Sequence, residues 1–361
     1  MRFRTLDGMR GVAALTVVLL HAQSLYGPAC TSAGTCNVRF GHLAVDMFFA
    51  LSGFVLSHRY DAPMAAGMRA ASFMRLRLVR LGPIYWLGAA IGAGLLVQDL
   101  MFHGASLAYV LRVTAFNVAL LPAPTFHPDV TTFVLVPPAW SLFLEFWVAN
   151  LAFGLIGGRL RGPLLVGLII AGGLGLVAAE LWYGHLDLGW YWGGMPGALA
   201  RVTYSFFAGV AVRRIHARHV APRLPALVVV AVMVASFGIR VPAGLGPAYE
   251  LACVIVLYPA LIYVGASATE RRPLLGAMLG DISYALYVIH VPMMRIALQL
   301  ADGLGDRRSF SLAAVTVIAI VAAAVAVDAL YDRRVRRVLG TLIARRTPGA
   351  VPRDSPPTAF G

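Results

Sequence analysis

Ten apolar runs, each close to the roughly 20 residues needed to cross a hydrocarbon layer as a helix, fill most of this chain. They cover residues 8–26, 43–59, 80–98, 140–157, 163–182, 197–213, 224–241, 247–266, 279–299 and 310–330. In lipid a backbone must satisfy its own hydrogen bonds, so such runs fold as helices. With 59% hydrophobic and 13% charged residues and a mean hydropathy of +0.77, the 361-residue chain is no soluble domain. The expected fold class is all-α: a polytopic membrane helical bundle of about ten transmembrane helices. The net charge of +14 invites a nucleic-acid reading, yet every one of the 30 basic residues is arginine, in short clusters between apolar runs. Those clusters speak for membrane lipids as partners and against nucleic acid.

Cytoplasmic loops keep the arginines, and the alternation that places most of them inside puts both termini in the cytoplasm. No cleavable signal sequence is expected. Residues 104–121 are apolar enough to span, but an eleventh crossing inverts every later loop, so they are expected to form a re-entrant or interfacial helix on the outer side. The proline-rich stretch 122–138 then reads as an ordered outer loop or a connector. Cys30 and Cys36 share the first outer loop and allow a disulfide in an oxidising compartment; they make a poor zinc site, and no metal site is expected. Cys253 lies in an apolar run and reads as packing. The membrane domain is taken as 1–340, with 341–361 a disordered cytoplasmic tail.

Arg10 and His21 stand eleven residues apart, which at about 100° per residue returns them to nearly one face of the first helix. They are about 16 Å apart along it, so with Arg10 at the cytoplasmic edge His21 lies deep in the membrane. Ionisable groups at that depth are costly and usually functional. Arg77 and Arg80, at i and i+3 near the start of the third run, read either as positive-inside anchors or, with Arg10, as a clamp for phosphate oxygens. Asp46 falls on the outer side near His21 and is a candidate to hold the imidazole. Gly53 reads as a close helix contact. Ser141 and Glu145 share a face behind Pro137 and Pro138, and Glu145 needs a partner: His21, which it would stabilise as imidazolium, or an arginine in a structural pair. Ser283, Tyr287 and His290 form one stripe, and Pro292 is expected to weaken the helix just beyond. That stripe either positions a hydroxyl acceptor or bonds a neighbouring helix.

These segments together resemble the acyltransferase 3 family of membrane acyltransferases. The resemblance rests on LDGMRGVAALTVVLLH, GFVLS, RLVRLGP, WSLFLE and SYALYVIHVP, in the family's order, over residues 6 to about 330. One departure is that the family's double glutamate is here Glu145 followed by Phe146. The resemblance implies ten spans, a place in the bacterial inner membrane, and transfer of an acyl group, most often acetyl. The donor would be acyl-CoA, with no tightly bound cofactor. The acceptor would be a hydroxyl of a carbohydrate, a lipid-linked glycan or another envelope molecule. On that reading Arg10, Arg77 and Arg80 hold the donor phosphates, His21 is the general base assisted by Glu145 and Asp46, and Trp140, Ser141, Tyr287 and His290 line the substrate site. The competing reading is a proton-coupled transporter or flippase, whose buried acids and histidines relay protons; no internal repeat supports it.

Overall fold

The computed structural model describes residues 3–26, 38–102, 104–125, 127–219, 221–242, 244–269, 273–303 and 310–346. Among the described residues the architecture is helical, without a strand. The helices are α1 (Arg4–Tyr26), α2 (Ala44–Ala65), α3 (Ala70–Phe102), α4 (Leu107–Val118), α5 (Ala139–Arg159) and α6 (Gly162–Tyr183). They continue as α7 (Met195–Arg218), α8 (Ala226–Gly238), α9 (Gly246–Gly265), α10 (Pro273–Gly303), α11 (Phe310–Val327) and α12 (Arg333–Arg346).

A helix occupies each of the ten apolar runs, and among the described residues seven are long and apolar enough to cross a membrane: α1, α3, α5, α6, α9, most of α10, and Ser311–Thr341. The other three fall short for visible reasons. α2 and α7 carry charges within their length, Asp46, Arg59 and Asp61 in one and Arg201, Arg213 and Arg214 in the other, and α8 has only 13 residues. Residues 104–121 hold a 12-residue helix, α4, whose length of about 18 Å is too short to span. The Ser106 hydroxyl caps it by accepting from Tyr109 N at 3.2 Å. α12 continues past residue 340 to Arg346; residues 347–361, like Cys30 and Cys36, lie outside the described residues.

Small residues set the closest contacts. A Cβ at Gly53 of α2 would overlap the Phe206 carbonyl oxygen of α7, and one at Gly209 of α7 would overlap that of Ala50. Between α1 and α10, a Cβ at Gly11 would meet the Leu279 backbone at 2.5 Å. α1 and α10 therefore lie backbone to backbone, so polar groups on their shared faces must bond each other. Pro292 does not break α10, which runs unbroken to Gly303.

The segment before α5 is not a surface connector. Phe133, Leu135 and Val136 are buried, and the Leu135 backbone packs on Gly92 of α3 where a Cβ would collide with it. Irregular backbone at such depth is tolerated only where protein groups satisfy it. The fully buried Asn117 does so: its Oδ1 accepts from Val134 N at 2.9 Å and Leu135 N at 3.2 Å, and its Nδ2 donates to Leu121 O at 3.1 Å. Arg295 Nη1 donates to Val134 O at 3.0 Å. α5 thus begins inside the bundle, and its first turn meets α10.

Candidate active site

Arg10 and His21 do share one face of α1, and that face meets α10. The Arg10 guanidinium donates to Ser283 Oγ at 3.0 Å and to Gly280 O at 2.9 Å. Three turns on, His21 meets His290, with Nδ1 to Nε2 at 3.3 Å and ring centroids 4.9 Å apart. Carbonyl partners assign the tautomers, because a carbonyl oxygen only accepts. His21 Nδ1 faces Val17 O at 2.9 Å, and His290 Nδ1 faces Leu286 O at 2.9 Å, so each Nδ1 carries its ring's proton in the neutral form. His290 Nε2 then aims a lone pair at His21 N–H. What this leaves on His21 is the Nε2 lone pair, a base with no donor committed to it among the described residues.

A cavity of about 110 Å³ opens between α1, α2, α3, α5 and α10. Arg10, Arg77 and Arg80 all line it, so the three predicted clamp residues come from two helices onto one space. Carboxylates face Arg77 and Arg80. Arg77 Nη2 donates to Glu145 Oε1 at 3.1 Å, and Arg80 Nη1 lies 3.9 Å from Asp332 in the wide turn joining α11 to α12. Arg80 also stacks over the Tyr284 ring, 5.9 Å from its centroid.

Glu145 is placed with Arg77 and with Ser52, whose hydroxyl donates to Oε1 at 2.6 Å, and not with His21. Glu145 stands at the start of a π-helical turn over Leu144–Asn150, and it lines the same cavity as Ser141. The sequence shows the glutamate but not that turn.

Asp46 needs the larger correction. Its carboxylate is 1% exposed and is taken up by Arg201 of α7, which approaches it at 2.6 Å through Nη2 and 3.2 Å through Nε. Arg201 is itself fully buried; Nη1 donates to Leu188 O at 2.8 Å, Nη2 to His42 O at 2.9 Å, and the guanidinium lies over the Trp140 ring at 5.4 Å. Asp46 and Trp140, expected at the reacting centre, are thereby parts of a saturated structural node. Beside it, His42 Nε2 bonds Glu250 Oε2 at 3.1 Å, and the same oxygen accepts from Leu186 N at 2.7 Å. Sequence reasoning missed Arg201, Glu250 and Asn117, each of which carries one visible signal, a charge or amide within an apolar stretch.

Ser141 and Tyr287 close the inner end of the cavity. Their hydroxyls are 2.6 Å apart, and both reach Pro138 O, at 3.0 and 3.2 Å. Along α10 the cavity touches Ser283 and Tyr287 and stops one turn short of His290. Among the described residues no group of three His, Cys, Asp or Glu side chains is arranged to hold a metal.

In this helical membrane bundle the cationic cavity ends one turn of α10 short of the His21–His290 pair. The family model described as an acyltransferase domain matches residues 3–331, and the chain belongs to this family, acyltransferase 3. It is a multi-pass membrane acyltransferase. It is 37% identical over 195 residues to "Protein 2 in picA locus" of Rhizobium radiobacter, which covers 50% of this chain and 96% of that protein. Over 321 residues it is 26% identical to "Putative membrane-bound transacylase BcsY" of Komagataeibacter xylinus, covering 82% of this chain and 74% of that one. No solved structure matches the chain.

Proposed function

We propose that the protein is an acyl-CoA-dependent O-acyltransferase of the bacterial inner membrane. It has ten crossings and both termini in the cytoplasm, and moves an acyl group, acetyl in the simplest case, to a hydroxyl of a carbohydrate or other envelope acceptor. The observation that carries this reading is the Val17 carbonyl against His21 Nδ1, which favours the proton there and leaves Nε2 as the base, at the end of a stripe that begins with Arg10. The donor's phosphates are held by Arg10, Arg77 and Arg80, exchanging with the carboxylates that now face Arg77 and Arg80. Its pantetheine arm follows the cavity toward Ser141 and Tyr287.

His21 Nε2 takes the proton of the acceptor hydroxyl as its oxygen attacks the thioester carbonyl carbon. The carbon–oxygen bond forms, the carbon–sulfur bond breaks, and the thiolate recovers the proton from the imidazolium. The positive charge on His21 is shared through Nδ1–H with Val17 O and His290 Nε2, so His290 performs the orienting role that the sequence suggested for Glu145. Because the cavity ends at Tyr287, the reading requires that ring to swing aside for the thioester to meet His21.

The test is acyl transfer by purified, lipid-reconstituted protein supplied with acetyl-CoA. The unsubstituted protein releases free CoA in an acceptor-dependent way, and His21→Ala lowers that rate by about 10²- to 10⁴-fold while inserting normally. Near-native turnover by His21→Ala removes the base from His21.

A further inference from the structure

We propose that the segment joining α6 to α7 is the binding site for a polyhydroxylated, carbohydrate acceptor, with the Asp187 carboxylate accepting from its hydroxyl groups and the Trp190 ring stacking on its apolar face. The proposal rests on the acyl-transfer reading above and names the acceptor site that reading needs.

Three observations bring the segment to this role. First, it is held rigidly. Leu186 N is fixed by Glu250, Leu188 O by Arg201, and Trp190 O accepts from Thr132 N at 3.0 Å and from Thr131 Oγ1 at 3.1 Å. Leu186 and Leu188 are fully buried, so the chain is pinned on both sides of residue 187. A fully desolvated arginine–aspartate pair is a costly way to hold a loop and favours a site whose shape matters.

Second, this anchored segment shows to the outside an acid and an aromatic ring, with His185 exposed beside them. Asp187 is exposed, Trp190 is 45% exposed, and Trp190 is braced edge-on by Tyr191 with centroids 4.7 Å apart. Carboxylates accept hydrogen bonds from vicinal hydroxyls, and an aromatic face covers the C–H face of a pyranose ring, so the pair suits a sugar better than a lipid tail.

Third, Leu186 N bonds the Glu250 that holds His42, and Leu188 O bonds the Arg201 that also reaches His42 O, which sets residue 187 beside the turn before α2 and α7, where the Asp187 charge also acts on His21. A hydroxyl held there is on the His21 side of Tyr287, opposite the arginine cavity. Donor and acceptor then approach the imidazole from two ends, and Trp140, buried under Arg201, is not the ring that meets the sugar.

The experiment uses membranes of the producing cell carrying the full chain, supplied with radiolabelled acetyl-CoA, with label counted in the carbohydrate fraction and saturable acetyl-CoA binding measured on the same membranes. Asp187→Asn and Trp190→Ala are each expected to lower carbohydrate label at least tenfold with acetyl-CoA binding unchanged. Full labelling by either variant overturns the joint assignment and, for Trp190, leaves it an interfacial aromatic. Label from the unsubstituted protein in non-carbohydrate fractions alone overturns the sugar. Loss of all transfer in His21→Ala while the two loop variants label normally isolates the failure to this proposal. Absence of transfer by the unsubstituted protein, or full transfer by His21→Ala, is instead a failure of the underlying reading and takes this one with it.

Discussion

Arg201 and Arg77 are both buried arginines facing a carboxylate, and they differ in what is left over. Arg201 commits both oxygens of Asp46, two carbonyls and an aromatic face. Arg77 gives Nη2 to Glu145, keeps a buried Nε with no hydrogen-bond partner among the described residues, and lines a cavity. A saturated pair has little to offer a ligand. On the proposed reading an unsaturated one beside a cavity trades its carboxylate for phosphate, because buried donors are costly to leave unmet. The same residue types are thus assigned to structure at the Asp46 end and to donor binding at the Glu145 end.

The largest effect that separates the two is on folding. Arg201→Ala strands the Asp46 carboxylate in the interior and is expected to cost about 3–5 kcal/mol, seen as loss of detergent-stable protein and a lower Tm. An Arg201→Ala protein that folds normally but binds acetyl-CoA poorly would reverse the comparison. Arg77→Ala should do the opposite, raising the KM for acetyl-CoA about tenfold or more, the worth of one charge-assisted contact, with a small change in Tm. Gly53→Ala pushes a methyl group into the Phe206 carbonyl and is expected to cost about 1–3 kcal/mol of stability without touching the donor KM. Tyr287→Phe removes one hydroxyl from the Ser141 contact and should change kcat only a few-fold, roughly the 1 kcal/mol of a single neutral hydrogen bond.

The smallest expected effect is a pH dependence at the structural end. Desolvation pulls the His42 imidazole down, but the hydrogen bond and charge of Glu250, with the charge of Asp187, outweigh it and hold His42 above its ordinary value of about 6.5. A raised folded value means that the stability from this pair is fully present below about pH 6.5 and is lost as pH rises through the folded value. Tm measured across that window should fall with pH, and Glu250→Gln should flatten the fall.

The sequence made the helices legible, since each apolar run is a helix, and it made the Arg10–His21 stripe legible, since helical spacing fixes a shared face. It also grouped Arg77, Arg80 and Arg10, which converge on one cavity. It could not choose partners across the fold. Asp46 has histidine and arginine within equal reach on paper, and only the packing of Gly53 and Gly209 brings α7, and so Arg201, against α2. Glu145 likewise has histidine and arginine as candidate partners, and only the approach of α2 and α3 to α5 gives it Ser52 and Arg77. The inward path of residues 133–136 depends on Asn117, a single amide whose meaning emerges only once its acceptor and donors are filled.

Base catalysis by His21 requires its ring proton on Nδ1, and ¹⁵N NMR of selectively labelled His21 in reconstituted protein reads that directly. The expected spectrum at neutral pH has Nδ1 protonated and Nε2 bare, unchanged in Arg77→Ala and disturbed in His290→Ala. A protonated Nε2 with a bare Nδ1 would leave His21 with no lone pair to offer a hydroxyl and would contradict the mechanism.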